Sequence, residues 1–159
     1  MTTKQYDDLV EINQKSIFHP ASSINDILNN GTSICLEGKG ASITTHNDGQ
    51  MIDGMSGLWC VNVGYGREEL GQAMLDSASS MGYAHSFAGT SNTPQIELSE
   101  KLLDLTRGIF SRVHYGTSGS DCIDTAIKLV RYYNNLRDKP EKKKIIARVN
   151  AYHGTTLAA

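Results

Sequence analysis

Apolar residues recur along this chain at two periods, and the switches between them mark its elements. Leu9, Ile12 and Ile17 fall at helical spacing within residues 4–17, and the His19-Pro20 step ends the run, so the pattern predicts a short amphipathic helix at the N-terminal end. From Ser33 the period shortens to β-rich pieces at 33–37, 43–46 and 50–52. The last two are joined by Asn47-Asp48-Gly49, a strong hairpin signal. Beyond a glycine-rich loop from Asp53 to Gly66, Leu70, Met74, Ala78 and Met81 return to helical spacing, with Glu68 and Glu69 at the electropositive end and Gly82 placed to close the helix. A further helix is expected to begin with Thr93 as cap and Pro94 at the first helical position, running through Leu98, Leu102 and Leu105 to Gly108.

The last third reads as strand, helix, strand. A β-rich run at 112–115 gives way to a helix carrying Ile123, Ala126, Ile127 and Val130 to about Leu136, broken by Asp138-Lys139-Pro140. Residues 145–149 then predict a second strand, and another helix is expected to start at Thr155 or Thr156. A right-handed crossover would put both strands in one parallel sheet, with the turn at 118–120 and the loop at 152–154 emerging at its carboxyl edge, where open α/β sheets bind ligands. The expected class is therefore α/β. Two parallel strands with so few helices cannot cover both sheet faces, so the chain is expected to be the N-terminal part of something larger and, alone, to expose apolar surface.

Composition narrows the function classes. Of 159 residues 39% are hydrophobic and 20% charged, with a net charge of -2, an ordinary globular balance that does not favour nucleic acid. The one dense basic run, Lys142-Lys143-Lys144, abuts Ile145-Ile146 and reads as a solvated strand entry. Cys35, Cys60 and Cys122 are odd in number and lack metal-type spacing, so no metal site is expected and the thiols read as reduced. With no signal-like start and no long apolar run, the expected location is cytoplasmic and no membrane partner is expected.

Chemistry concentrates in Gly116-Thr117-Ser118-Gly119-Ser120-Asp121. A strand feeding a helix through small residues leaves backbone N–H groups unpaired at the positive end of the helix dipole, an environment suited to phosphate. Ser118 and Ser120 can equally cap the helix, and on this turn alone a capped helix start is the commoner outcome. The turn is no Walker loop, because no Lys follows its last glycine. Tyr152, His153 and Gly154 leave the second strand at the same edge, so Tyr152 could stack on a flat ring carrying the phosphate, with Trp59 and Phe87 bounding a pocket. Each aromatic taken singly serves as well for core packing.

The strings Asp53-Gly54-Met55-Ser56-Gly57-Leu58-Trp59-Cys60-Val61-Asn62-Val63-Gly64-Tyr65-Gly66, Thr117-Ser118-Gly119-Ser120-Asp121, Lys139-Pro140-Glu141-Lys142 and Asn150-Ala151-Tyr152-His153-Gly154-Thr155-Thr156 resemble the class III aminotransferases, among them the ω-aminotransferases acting between amines and pyruvate. The resemblance runs from about His19 to the last residue. It implies pyridoxal 5′-phosphate as cofactor, the fold type I architecture of such transferases in incomplete form, and a homodimer with its active site at the subunit boundary. By that likeness residues 1–65 form the N-terminal helix, hairpin and pocket loop of the small domain, and residues 66–159 begin the large, cofactor-binding domain. Ser118, Gly119 and Ser120 match the phosphate turn, Tyr152 the ring-stacking aromatic, and His153 and Gly154 the loop carrying it. Leu58, Trp59 and Phe87 match pocket-lining positions, Phe87 reaching toward the partner subunit's site.

Three positions depart from the family pattern: Asp121 replaces a common Glu, Ala21 stands where many relatives carry a pocket aromatic, and Gly116 replaces a bulkier residue. The lysine that anchors the cofactor and the acid beside its ring nitrogen are expected beyond residue 159, leaving the chain without its own catalytic residues. Lys142, Lys143 and Lys144 are no substitute, since five strand residues at about 3.3 Å each put the carboxyl edge roughly 16 Å away. The implied activity is transfer of an amino group from an amine or ω-amino acid to a keto acid such as pyruvate. The alternative is a non-catalytic short chain that binds a phosphorylated ligand or dimerises with a full-length relative.

Overall fold

The computed structural model describes residues 3–159, and its backbone packing divides them into two units, Met1–Tyr83 and Ala84–Ala159. The first unit opens with α1 (Thr3–Ser16) and α2 (Ile24–Asn30). The sequence pattern anticipates α1 and misses α2, although Ser23-x-x-Asp26 is a cap signature. Ser23 accepts the Asp26 N–H at 3.3 Å. The Gln14 side chain ties the two helices by donating to the Ile27 carbonyl at 2.8 Å.

Three short strands follow, β1 (Cys35–Lys39), β2 (Ser42–Thr45) and β3 (Gly49–Ile52), forming an antiparallel meander. Thr45 pairs with Gly49, so the hairpin loop is 46–48, one residue earlier than the Asp-Gly signal implies. Gly49 takes φ +70, which glycine adopts without strain. The Thr45 hydroxyl accepts the Asp48 N–H at 3.1 Å and locks the loop. A single turn, α3 (Ser56–Trp59), precedes α4 (Glu68–Ser80), whose last turn closes at Gly82 with φ +68 and a bond from Gly82 N to the Ser77 carbonyl.

In the second unit α5 (Thr93–Leu105) is capped by Asn92, whose side chain accepts the Gln95 N–H at 2.9 Å. The expected cap was Thr93. The amide-bearing Asn92 is the better acceptor, and Pro94 stays in the first turn, where its missing N–H is harmless. The longest element, α6 (Gly119–Leu136), begins within the turn at 118–120 and ends where the sequence predicts.

Two sequence expectations fail here. Neither 112–115 nor 145–149 is a strand, and the helix expected at Thr155 or Thr156 is a series of bends. A strand exists only where a neighbour completes its ladder, and a crossover places two strands in one sheet without making them adjacent. Among the described residues no segment pairs with either run. Residues 155–159 are too few to sustain a helix unaided, which takes about 12 residues in water. The amides of Leu157 and Ala158 go instead to the Asp124 carboxylate at 3.2 and 2.9 Å.

No hydrophobic side chain is buried among the described residues, and Thr45 is the one buried polar residue there, at 5% exposure. The accessible surface is 13547 Å². Even two separate compact units of half this mass would together expose only about 9,500 Å². The excess is apolar in large part, including Met74, Leu105, Ile146 and Leu157. No helix among the described residues is long and apolar enough to cross a membrane.

Candidate active site

The first turn of α6 is built by reciprocal capping. Ser118 Oγ accepts the Asp121 N–H at 3.3 Å, while the Asp121 carboxylate accepts the N–H groups of Thr117 and Ser118, both at 2.9 Å, and their hydroxyls at 3.0 and 3.2 Å. The Thr117 N–H first, then that of Ser118, hold the Asp121 carboxyl well below the usual carboxylate range. A Cβ on Gly116 would lie 2.6 Å from Cys122 Sγ and 2.7 Å from Asp121 Oδ1, so a side chain there would push the Asp121 carboxylate off the turn.

Capping consumes the amides of Thr117, Ser118 and Asp121 and leaves those of Gly119 and Ser120 without a partner among the described residues. A Cβ at Gly119 would meet nothing within 4 Å, so the turn is open on that side, and both amides lie at the positive end of an 18-residue helix. Donors so placed suit an anion such as phosphate. The sequence alone leaves open whether the serines cap the helix or bind an anion. Capping falls to Ser118, and Ser120 is left for other work.

That other work is to join the two loops. Thr155 N donates to Ser120 Oγ at 3.1 Å, and the Thr156 hydroxyl donates to the Ser120 carbonyl at 3.3 Å. Gly154 passes so close that a Cβ on it would sit 2.6 Å from Ser120 Oγ and 2.8 Å from Ser120 Cα, and its φ is +150. Only glycine allows that approach. Since Ser120 Oγ accepts from Thr155, its own hydrogen remains available to an anion held by the adjacent amides.

Tyr152, two residues before Gly154, is 72% exposed. His153 lines an open cleft of about 430 Å³ whose other walls are Ile123, Ile127 and Val130 on α6 and Ile145 and Ile146 across from them. Asp124 pins the far end of the loop. The Thr156 hydroxyl, then the Leu157 amide, keep its carboxyl below the usual range. Sequence reasoning missed Asp124 as a participant, although its place one turn past Ser120 puts it on the same helix face.

In the first unit, Leu58 and Trp59 lie on α3, where four successive residues are left-handed: Ser56, Gly57, Leu58 and Trp59 have φ of 50, 57, 57 and 67. Three of them carry a Cβ, at a cost of about 1–2 kcal/mol each. Asp53 compensates. Its carboxylate accepts Gly57 N at 2.6 Å, Met55 N at 3.0 Å and the Tyr65 hydroxyl at 2.7 Å. The Tyr65 bond first, then that from Gly57, lower the Asp53 pKa, and the same carboxylate raises that of Tyr65. Trp59 remains 70% exposed. Phe87 belongs to the second unit, on a single 3-10 turn (Phe87–Gly89), and is also exposed. Among the described residues no cluster of three or more His, Cys, Asp or Glu could hold a metal ion, and Cys35, Cys60 and Cys122 are free thiols.

The family described as aminotransferase class-III matches residues 28–159. The chain is 43% identical to a diaminobutyrate–2-oxoglutarate transaminase of Halomonas elongata, over 100% of this chain and 34% of that protein. It is 35% identical to a putrescine–pyruvate aminotransferase of Pseudomonas aeruginosa, over 87% of this chain and 30% of that protein. Among solved structures, the ω-transaminase of Pseudomonas jessenii in complex with PMP superposes with a TM-score of 0.90 at 34% identity, covering 93% of this chain and 33% of that one. The chain therefore spans about a third of the length of the proteins it matches.

Proposed function

The chain belongs to the class III aminotransferases, whose cofactor is pyridoxal 5′-phosphate, and on that premise we propose that it supplies the phosphate cradle and part of the substrate wall of a transaminase. The reaction moves an amino group from an amine or ω-amino acid to a keto acid such as pyruvate. The observation that supports this reading best is the convergence of Gly154 and Thr155 on Ser120 beside the unpaired amides of Gly119 and Ser120. Two loops 35 residues apart in the sequence meet where an anion fits.

The residues divide the work. The Gly119 and Ser120 amides and the Ser120 hydroxyl hold the phosphate, and the α6 dipole favours its charge. Tyr152, carried by the loop that Gly154 fastens to Ser120, covers one ring face, and His153 packs behind it. Leu58 and Trp59 in the first unit, and Phe87 in the second, are each assigned to contact with the amine donor in the full enzyme. When bound, the cofactor supplies the electron sink that lets an amino group leave one carbon and join another. The anchoring lysine and the acid for the ring nitrogen come from outside these 159 residues, so the chain alone is inactive. A cytoplasmic homodimer completes the proposal.

Absorption spectroscopy of the holoenzyme tests it. Adding an amine donor should shift the absorbance of bound cofactor near the visible edge, and a keto acid should restore it. A protein that stays colourless with added cofactor would sink the reading.

A further inference from the structure

The loop after β3 carries an internal clamp that cofactor binding does not require. The Tyr65 ring lies flat on the β1 backbone at Gly38, where a Cβ would come within 2.6 Å of Tyr65 Cγ. Tyr65 is also stitched to the β1–β2 turn, its N donating to the Gly40 carbonyl at 2.8 Å and its carbonyl accepting Gly40 N at 3.1 Å. From that fixed position its hydroxyl donates to Asp53 Oδ2 at 2.7 Å, and the same oxygen accepts Gly57 N at 2.6 Å. The carboxylate of Asp53 thus ties the left-handed turn to the rigid meander. Without that tie, Ser56, Leu58 and Trp59 would relax toward right-handed backbone, and the two pocket side chains would swing away.

We propose that Asp53 and Tyr65 are positioning residues for substrate specificity: through the Gly57 amide they hold Ser56–Trp59 left-handed and so fix how Leu58 and Trp59 limit the size of the amine donor. The proposal rests on the reading of Leu58 and Trp59 as pocket wall given above. Neither Asp53 nor Tyr65 touches the substrate. Their effect reaches it through backbone conformation, so it is read in the choice between donors and not in the chemistry of transfer.

The test is Tyr65→Phe in the holoenzyme, which keeps the ring on Gly38 and removes the one hydroxyl that reaches Asp53. Transamination is measured with a compact amine and with a bulky arylalkyl amine. The ratio of kcat/KM, bulky over compact, should rise about tenfold, carried mostly by KM, with kcat for the compact donor and the cofactor absorbance unchanged. Asp53→Asn, which removes the charge and leaves one neutral oxygen acceptor, is read the same way if the first variant does not fold. An unchanged ratio, or an equal loss on both donors, overturns the proposal by showing a structural role alone. A wild-type holoenzyme inactive with every amine would instead overturn the transaminase reading from which the clamp's purpose follows.

Discussion

Ser120 illustrates how one side chain serves two partners. Its oxygen accepts the Thr155 amide while its hydrogen stays free, so under the proposed phosphate site Ser120→Ala removes a donor to the ligand and unpairs a backbone N–H together. The expected cost is about 1–2 kcal/mol, or about 5- to 30-fold in the cofactor dissociation constant by titration of the holoenzyme. Asp121 makes a pH prediction. Its folded pKa is depressed by the Thr117 and Ser118 amides, so its contribution to stability is fully present above the unfolded value, near about 3.9, and is lost as pH falls through the lower folded value. NMR titration of the Asp121 carboxyl carbon should find the midpoint clearly below that of a free aspartate. A midpoint near 4 would mean the capping box does not form in solution.

At the scale of elements, the start of α6 separates stability from binding. Gly116 and Gly119 lie three residues apart, yet a methyl group on the first collides with Asp121 and Cys122 and on the second meets nothing. Gly116→Ala should therefore lower the melting temperature by opening the cap, at about 1 kcal/mol. Gly119→Ala should leave the melting temperature of the apoprotein unchanged or slightly raised while weakening the cofactor, because its methyl stands where phosphate must approach. Calorimetry and cofactor titration on both variants check the contrast. These elements also show what a sequence can reveal. Strong periodicity and local caps made α1, the hairpin, α4, α5 and α6 legible, because their signals lie within a few residues of one another. The left-handed α3 was invisible, since its conformation depends on Asp53 reaching both Gly57 and Tyr65, while the strands expected at 112–115 and 145–149 do not form, because a ladder needs neighbours that no local pattern supplies. Ser118, Gly119 and Ser120 could be picked out as small residues before a helix. Their division of labour depended on Asp121, whose side chain folds back on the turn.

For the whole molecule, the decisive fact is a surface far larger than its mass warrants, with no hydrophobic side chain buried among the described residues. Local hydrogen bonds and caps hold the elements, while packing that would make them melt together is missing. The 159-residue chain by itself should therefore bind an apolar dye such as ANS strongly and unfold without a sharp calorimetric transition. A cooperative transition with weak dye binding would contradict the exposed faces of α4 and α6. The Ser120–Thr155 stitch adds a dimension of time. At a synthesis rate of ~5–20 residues per second, Thr155 is added about 2 to 7 seconds after Ser120, 35 residues earlier. For that interval the start of α6 exists without the loop that closes on it, and Ser120 Oγ lacks the amide it later accepts, so the capping box at Ser118 and Asp121 must hold the turn by itself.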